Sequence, residues 1–367
     1  MYCAVRRLRH IVNGRIHKND GWSFSRYCSR QRFTTWFAAG GHMIRLNSST
    51  ASVCAALCGL GIAGHAAAQT YPNKSIRMVV GFAPGGNVDM TARLVAQKLP
   101  LALGQSVVVD NRGGAGGAIG TELVARSAPD GYTLLVISSS LMINSAIAKN
   151  PAYDPIRDFA PVSTLTYGPH FVSVNASLPA TSIKELIALA RTKPGYINFG
   201  SGGVGSLTHL EGEFFKSAAG IDIVHVPYKS TSIAFADMLS GQVHLMFSST
   251  VSTLPFVKTG KVKVLAVTAS KRLAALPEIP TVAESGLPQF IVDSVAGMLA
   301  PARTPQPILH KLSSEAIRFL KTPEMQAALA SQGAEAGGST PQEYAAIIAE
   351  EMARWRKVVV IAGISPQ

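Results

Sequence analysis

The chain has 367 residues, enough for two or three domains with a sizeable core, and its 47% hydrophobic and 15% charged content excludes a disordered protein. A formal charge of +13 suggests a basic protein seeking an anion, a membrane surface or nucleic acid, but its distribution removes that reading. Residues 1–68 hold nine Lys and Arg and one acid, Asp20, a net of +8 (9 − 1), while residues 69–367 hold 25 basic and 20 acidic residues, a net of +5 (25 − 20).

All four cysteines (Cys3, Cys28, Cys54, Cys58) lie in the first segment, so the body after it has neither a disulfide nor a thiolate metal site. No Lys/Arg cluster interleaves with aromatic residues, which argues against nucleic acid as a partner. Residues 43–68 read as a secretory signal peptide. Met43 would be the start, Arg45 the basic region, 51–63 the apolar run, and Ala66-Ala67-Ala68 the small-residue cleavage site. The apolar run is too short to span a bilayer, which needs roughly twenty residues. Residues 1–42 are Arg-rich without sustained periodicity; they read as a doubtful extension from an upstream start, with a transit peptide as the alternative. The expected location is an oxidising compartment reached by export.

From residue 70 onward, strand-like and helix-like runs alternate, the pattern of an α/β fold. Strands are expected at 75–82, 106–109 and 132–137, with helices at 89–103 and 121–127 between them. A second module begins near 171–174. Ser182 and Glu185, spaced as a capping box, open a helix there. Then come a strand at 197–199, a helix at 207–219, a strand at 223–226, a helix at 233–240, and strands at 244–247 and 262–268. Pro277, Pro280 and Pro288 punctuate a linker, and 294–299 reads as a strand returning to the first module. Two helices close the chain, the last with Thr340 as N-cap, Pro341 at N1 and Glu343 at N3. The chain thus crosses between two modules near 168–171 and again near 288–294. Domain 1 comprises 70–170 plus 294–367 and domain 2 comprises 171–293, an arrangement that leaves a cleft between them.

Three loops join an apolar strand to a helix through glycines. In Phe82-Ala83-Pro84-Gly85-Gly86-Asn87-Val88-Asp89 the helix start presents unpaired N–H groups to an anion, and Asp89 caps the helix or fixes the loop. Gly113-Gly114-Ala115-Gly116-Gly117 does not fit a P-loop and reads as structural. Gly200-Ser201-Gly202-Gly203-Val204-Gly205-Ser206 matches G-x-G-x-x-G, so a dinucleotide site is the sharpest rival. That fingerprint wants an acid at the C-terminal end of the next strand, whereas Asp222 precedes the strand. A carboxylate held by the Ser201 and Ser206 hydroxyls and loop N–H groups needs the same glycines. Lys229 either balances a ligand's charge or is an exposed lysine, and His209 either touches ligand or is structural. Catalytic motifs are sparse: no G-x-S-x-G or H-E-x-x-H occurs, and no two of His170, His209, His225, His244 and His310 are spaced i, i+4. A long-range Ser-His-Asp arrangement is not legible from one sequence.

The residues themselves resemble the Bug-type receptors of tripartite tricarboxylate transporters. The resemblance is carried by Tyr71-Pro72, Val80-Gly81-Phe82-Ala83-Pro84-Gly85-Gly86-Asn87-Val88-Asp89, Val109-Asp110-Asn111-Arg112-Gly113-Gly114, Pro129-Asp130-Gly131-Tyr132, Asn198-Phe199-Gly200-Ser201-Gly202-Gly203, Val226-Pro227-Tyr228-Lys229 and Leu276-Pro277-Glu278-Ile279-Pro280-Thr281-Val282, in the family's order over 70–360. It implies a periplasmic-binding-protein type II-like fold, two α/β domains around a central cleft. It further implies a non-enzymatic, monomeric receptor without cofactor or metal that delivers a small carboxylate to membrane permease subunits. The ligand residues it points to are Phe82, Ala83, Pro84, Gly85, Gly86 and Asp89 on the first loop, Ser139 after the third strand, Ser201, Gly202, Gly203, Ser206 and His209 on the third loop, then Tyr228, Lys229 and Ser248. The alternative is a dinucleotide-binding or hydrolytic α/β enzyme using the loop at 200–206. Three positions depart from the family pattern: Ser230-Thr231-Ser232 replaces a glycine-rich run, His244 an acid, and Ser248-Ser249 an acidic or amide pair. The last two remove negative charge, so the expected ligand is an anion without an amine group.

Overall fold

The computed structural model describes residues 36–39, 42–45, 71–331 and 333–364. The first two short segments form an antiparallel pair, Trp36–Ala39 with His42–Arg45. The extension at 1–42 and the leader at 43–68 otherwise lie outside the described residues, as do the four cysteines.

The body begins with β1 (Ile76–Val80), α1 (Asn87–Leu103), β2 (Val107–Asn111), α2 (Ala118–Ala125), β3 (Thr133–Ile137) and α3 (Ser140–Ile147). β1 lies between parallel β2 and β3, which is why it reads as an apolar run interrupted only by Arg77, whose guanidinium pairs with Asp110 on β2. α1 buries Val88, Ala92, Val95 and Leu99 and stops at Gly104, whose φ of 69° only glycine adopts freely. α3 was not expected from the sequence; it buries Leu141, Met142, Ile143 and Ile147.

β4 (Phe159–Asn175) is a single 17-residue strand. The sequence suggests a strand only from 171, because Pro161, Gly168 and Pro169 read as breakers. Up to Pro169 it pairs with β9 (Asp293–Pro301); from His170 it pairs with β7 (Leu245–Ser249), and from Phe171 with β8 (Val262–Val267) on its other edge. One strand therefore carries the backbone from the first lobe into the second.

The second lobe contains α4 (Ile183–Thr192), β5 (Asn198–Ser201), α5 (Leu207–Ala219), β6 (Val224–Pro227), α6 (Thr231–Leu239), β7, α7 (Thr250–Lys258) and β8. The Ser182 hydroxyl accepts the Glu185 N–H, but the Glu185 carboxylate turns to the N–H of Thr181, one residue earlier than a capping box requires. α7 was missed because Pro255 sits inside it. After β9 the chain closes with α8 (Gln306–Leu320), α9 (Pro323–Ala330), the short β10 (Glu335–Ala336) and α10 (Pro341–Ile361), three helices where two were expected. Thr340 and Glu343 form the expected capping box on α10, at 3.2 and 2.7 Å. The strands lie in the order β2-β1-β3-β9-β4-β7-β5-β6, a mixed sheet with a parallel block in each lobe.

Candidate functional site

Each parallel block sends a helix out of the carboxyl end of its strands, so the helix N-termini converge between the lobes. A cavity with about 460 Å³ of empty space, open mouth included, lies at that convergence. Phe82, Gly86, Asn87 and Val88 line it from the start of α1, and Ser138 from the start of α3. Gly202, Ser206, Leu207 and Thr208 belong to the start of α5, Thr231 to α6 and Ser249 to α7. His170 and Ser294 form its floor on the two strands that join the lobes. No Lys, Arg, Asp or Glu side chain is among these lining residues. The attraction for an anion comes from hydroxyls, from backbone N–H groups and from the positive ends of the helix dipoles.

Three of these N-termini are capped from within. Ser206 accepts the His209 N–H, Ser230 that of Ile233, and Ser249 that of Ser252. α1 starts on Gly86, which has no side chain to cap with, and α3 starts on Ser139 without a side-chain cap. The first turn of α1 therefore offers its N–H groups to whatever occupies the cavity.

The first loop is held by Asp89, buried to 2% exposure. One carboxylate oxygen accepts the Gly85 N–H and Arg93 Nε, both at 2.9 Å, and the other accepts Asn111 Nδ2, which also donates to the Phe82 carbonyl. Burial opposes its ionisation, but Arg93, the Gly85 N–H and Asn111 together hold it below the usual carboxylate range. Asp89 thus fixes the loop and does not line the cavity. Gly85 needs its glycine, with φ at 86°. Pro84 is exposed and gives its carbonyl to Ser232 Oγ at 2.8 Å; Ala83 donates its N–H to the Lys229 carbonyl at 3.5 Å.

The third loop is braced from behind by two histidines. Ser201 Oγ lies 2.6 Å from His225 Nε2 and accepts the Gly203 N–H at 3.1 Å. His209 Nδ1 accepts the Gly205 N–H at 3.3 Å, and its ring lies 4.2 Å from that of His225. Burial pushes His209 down to about 4; burial and then His209 push His225 down to about 3. Both rings are neutral at pH 7. Ser201 and His225 have the atoms of a nucleophile and a base, but Ser201 is fully buried and its hydroxyl is engaged in holding the turn.

The dinucleotide fingerprint is covered by the opposite lobe. A Cβ placed on Gly116 would stand 2.6 Å from the Ser206 N, and one on Gly203 would stand 3.1 Å from the Gly116 N. The glycine loop at 113–117 is thus the other half of a backbone-to-backbone contact across the cleft. Asp222 is paired with Lys216 at 3.2 Å and lies before β6, away from the strand's carboxyl end. The Ser140 Oγ accepts the Leu207 N–H at 3.0 Å, a further bridge between the lobes. Replacing Gly116 by Ala should hold the lobes apart. Small-angle scattering should give a larger radius of gyration than wild type, with ligand affinity down at least about tenfold. An unchanged radius and affinity would count against this contact as the closing one.

The other expected ligand residues lie just outside the cavity. Ser139 is buried with its hydroxyl 3.3 Å from Glu351, and its neighbour Ser138 lines the cavity instead. Ser248 is bonded to Thr253 at 2.7 Å, and Ser249 lines instead. Tyr228 donates to Asp237 at 2.7 Å; Lys229 is exposed. His244 accepts the Asn198 N–H at 3.2 Å and packs on Tyr196, so of the two charge-removing departures only that at 248–249 reaches the cavity. The residues that sequence reasoning missed are Asn87, Val88, Ser138, His170, Leu207, Thr208, Thr231, Ser249 and Ser294. Several could have been found as the first residues after each strand.

A two-lobed α/β protein whose cleft gathers helix N-termini is a solute-binding protein of the periplasmic type. The chain belongs to the tripartite tricarboxylate transporter family receptors, whose family model matches residues 91–364. Protein BugT of Bordetella pertussis (strain Tohama I / ATCC BAA-589 / NCTC 13251) is 37% identical over 305 residues, covering 83% of this chain and 94% of that one. Among solved structures, R. palustris Rpa4515 with adipate is 37% identical with a TM-score of 0.78, covering 81% of this chain and all of the other. The periplasmic binding protein BugD is 36% identical, with the same TM-score and the same coverage.

Proposed function

We propose that the protein captures a small carboxylate, in the first place a dicarboxylate, between the α1 and α5 N-termini, closes its lobes over it and hands it to the membrane subunits of a tripartite transporter. The observation that carries this reading is the cavity itself: five helix N-termini, no charged lining side chain, and an uncapped α1. The adipate of Rpa4515 supports it. We assign the lobes to 70–170 with 294–367 and to 171–293, and the route to the periplasm to a leader at 43–68. N-terminal sequencing of the exported protein should then begin at Gln69.

A thermal-shift panel of dicarboxylates and matched amino acids tests the ligand class. A dicarboxylate at a hundred times its Kd adds about 2.7 kcal/mol of stability, or about 5 °C or more in Tm. An amino acid that bound tighter than its matched dicarboxylate would overturn the preference for a ligand without an amine. A panel in which no carboxylate shifted Tm would overturn the reading as a whole.

A further inference from the structure

The floor of the cavity holds a pair that the carboxylate reading does not use. His170 Nδ1 lies 2.7 Å from Glu211 Oε2, with both side chains almost fully buried. His170 lines the cavity, and with Nδ1 engaged its remaining ring nitrogen is Nε2, which makes no hydrogen bond among the described residues. Glu211 Oε1 is buried without any partner. An orphaned oxygen is far costlier on a carboxylate than as the carbonyl of a neutral acid.

Of the surrounding charges, Asp293 points the same way, while Arg354 and His170 oppose it. Asp293 from β9 and Arg354 from α10 face this pair, with Glu335, and Glu351 of α10, beyond Asp293. Arg354 is committed to Glu351 at 3.0 Å and to the Ile291 carbonyl at 2.8 Å. Burial, helped by Asp293, holds Glu211 above the usual carboxylate range, with His170 and Arg354 opposing it. A pair carrying two protons is neutral. Whether the shared proton sits on Oε2 or on Nδ1, Nε2 then bears a hydrogen. A pair carrying one proton buries a net negative charge and turns Nε2 into an acceptor.

We propose that His170 reads the second polar group of the ligand as a hydrogen-bond donor through Nε2, and that Glu211 is the positioning residue that fixes this protonation. The proposal rests on the carboxylate reading and sharpens it. The ligand carries, beyond the carboxylate at the helix N-termini, a second group that accepts: a carboxylate, a carbonyl or a hydroxyl. An ammonium group, which only donates, is refused there.

The test is titration calorimetry at pH 7.5 with linear dicarboxylates of four to six carbons, monocarboxylates of the same length and ω-amino acids. Wild type should prefer the dicarboxylate at least about tenfold over both others. His170→Leu should lose the preference for the dicarboxylate over the monocarboxylate, and His170→Gln, whose amide can donate, should restore part of it. A His170→Leu protein that kept the preference would overturn the proposal. Because His170→Leu could fail to fold, ¹⁵N NMR of the unliganded wild type provides an independent reading. It should show Nε2 protonated at pH 7.5, and a bare Nε2 there would overturn the proposal whatever the variants do. If wild type binds no carboxylate at all, the carboxylate reading has failed, and the NMR result still decides the state of the pair.

Discussion

Replacing Gly86 with aspartate should lower carboxylate affinity at least about a hundredfold and leave the fold intact. Gly86 is the N-cap of α1, with φ at −83° and ψ at 168°, a conformation open to any residue. An Asp there would accept the first-turn N–H groups of α1 itself, in the manner of an ordinary cap. The ligand would lose those donors and face a fixed negative charge. Two charge-assisted hydrogen bonds at about 1.5 kcal/mol each amount to about 3 kcal/mol, hence the hundredfold. The apo protein should be unchanged or slightly more stable, since Gly to Asp at an N-cap gains at most a few tenths of a kcal/mol. The new Cβ would stand 3.3 Å from Thr231 Oγ1, a crowding of a few tenths of an ångström that α6 can absorb. Gly86→Ala is the control: it adds the Cβ without the cap and should cost far less affinity than Gly86→Asp. Calorimetry with chemical denaturation on both variants separates the effects. If Gly86→Asp bound like wild type, the carboxylate would not lie on α1.

The prediction rests on a feature legible in the sequence. An apolar strand running into Pro84-Gly85-Gly86 and then a helical period marks both a tight turn and a helix without a side-chain cap. The loop at 200–206 and the α10 capping box are legible for the same reason, because strand ends, glycines and caps are local signals. What was not legible is which side of each turn faces the cavity. Ser138 and Ser139 are adjacent, as are Ser248 and Ser249, and in each pair the residue that lines the cavity is set by the orientation of the helix that follows. His170 was missed for a longer-range reason. It lies where β4 changes partners from β9 to β7, and its importance comes from Glu211, 41 residues away on α5. Asp89 shows the converse: an acid beside an anion loop looks like a ligand residue until Arg93, Asn111 and Gly85 are seen to take both its oxygens. The whole-chain charge of +13 misleads for a similar reason, since the cavity's attraction for anions is built from peptide dipoles that no count of Lys and Arg records.

Stability should fall as the pH drops from 6.5 toward 4, with the two histidines behind the glycine loop giving the largest share and His244, also lowered by burial, and the lowered carboxyl of Asp89 acting in the same sense. In the unfolded chain each titrates near 6.5. In the fold, burial depresses His209 to about 4, and burial together with His209 depresses His225 to about 3. Above pH 6.5 both rings are neutral in either state, and their contribution is fully present. As pH falls through 6.5 the unfolded chain takes up protons that the native rings refuse, so the equilibrium shifts toward unfolding until the native values are reached. Protonation would place a cation on Nδ1 of His209, against the Gly205 N–H it now accepts, and would set two charged rings 4.2 Å apart. The expected loss between pH 6.5 and 4.5 is on the order of a few kcal/mol. Three carboxyls work in the opposite sense. Glu211, Glu213 and Asp293 are all raised by burial, so their contribution is present at low pH and is lost as pH rises. The histidine term is therefore read as a difference. Urea denaturation of wild type and of the His209→Gln, His225→Gln double variant at pH 7.5 and 4.5 should show a steep pH dependence in the first and a flatter one in the second. The variant is expected to be the less stable protein at pH 7.5, because it loses the packed histidine pair and the stacking of His225 on Phe199, yet to lose less on acidification. Equal slopes in the two proteins would mean that the rings take up protons in the native state. The loop at 200–206 would then be braced by something other than neutral histidines.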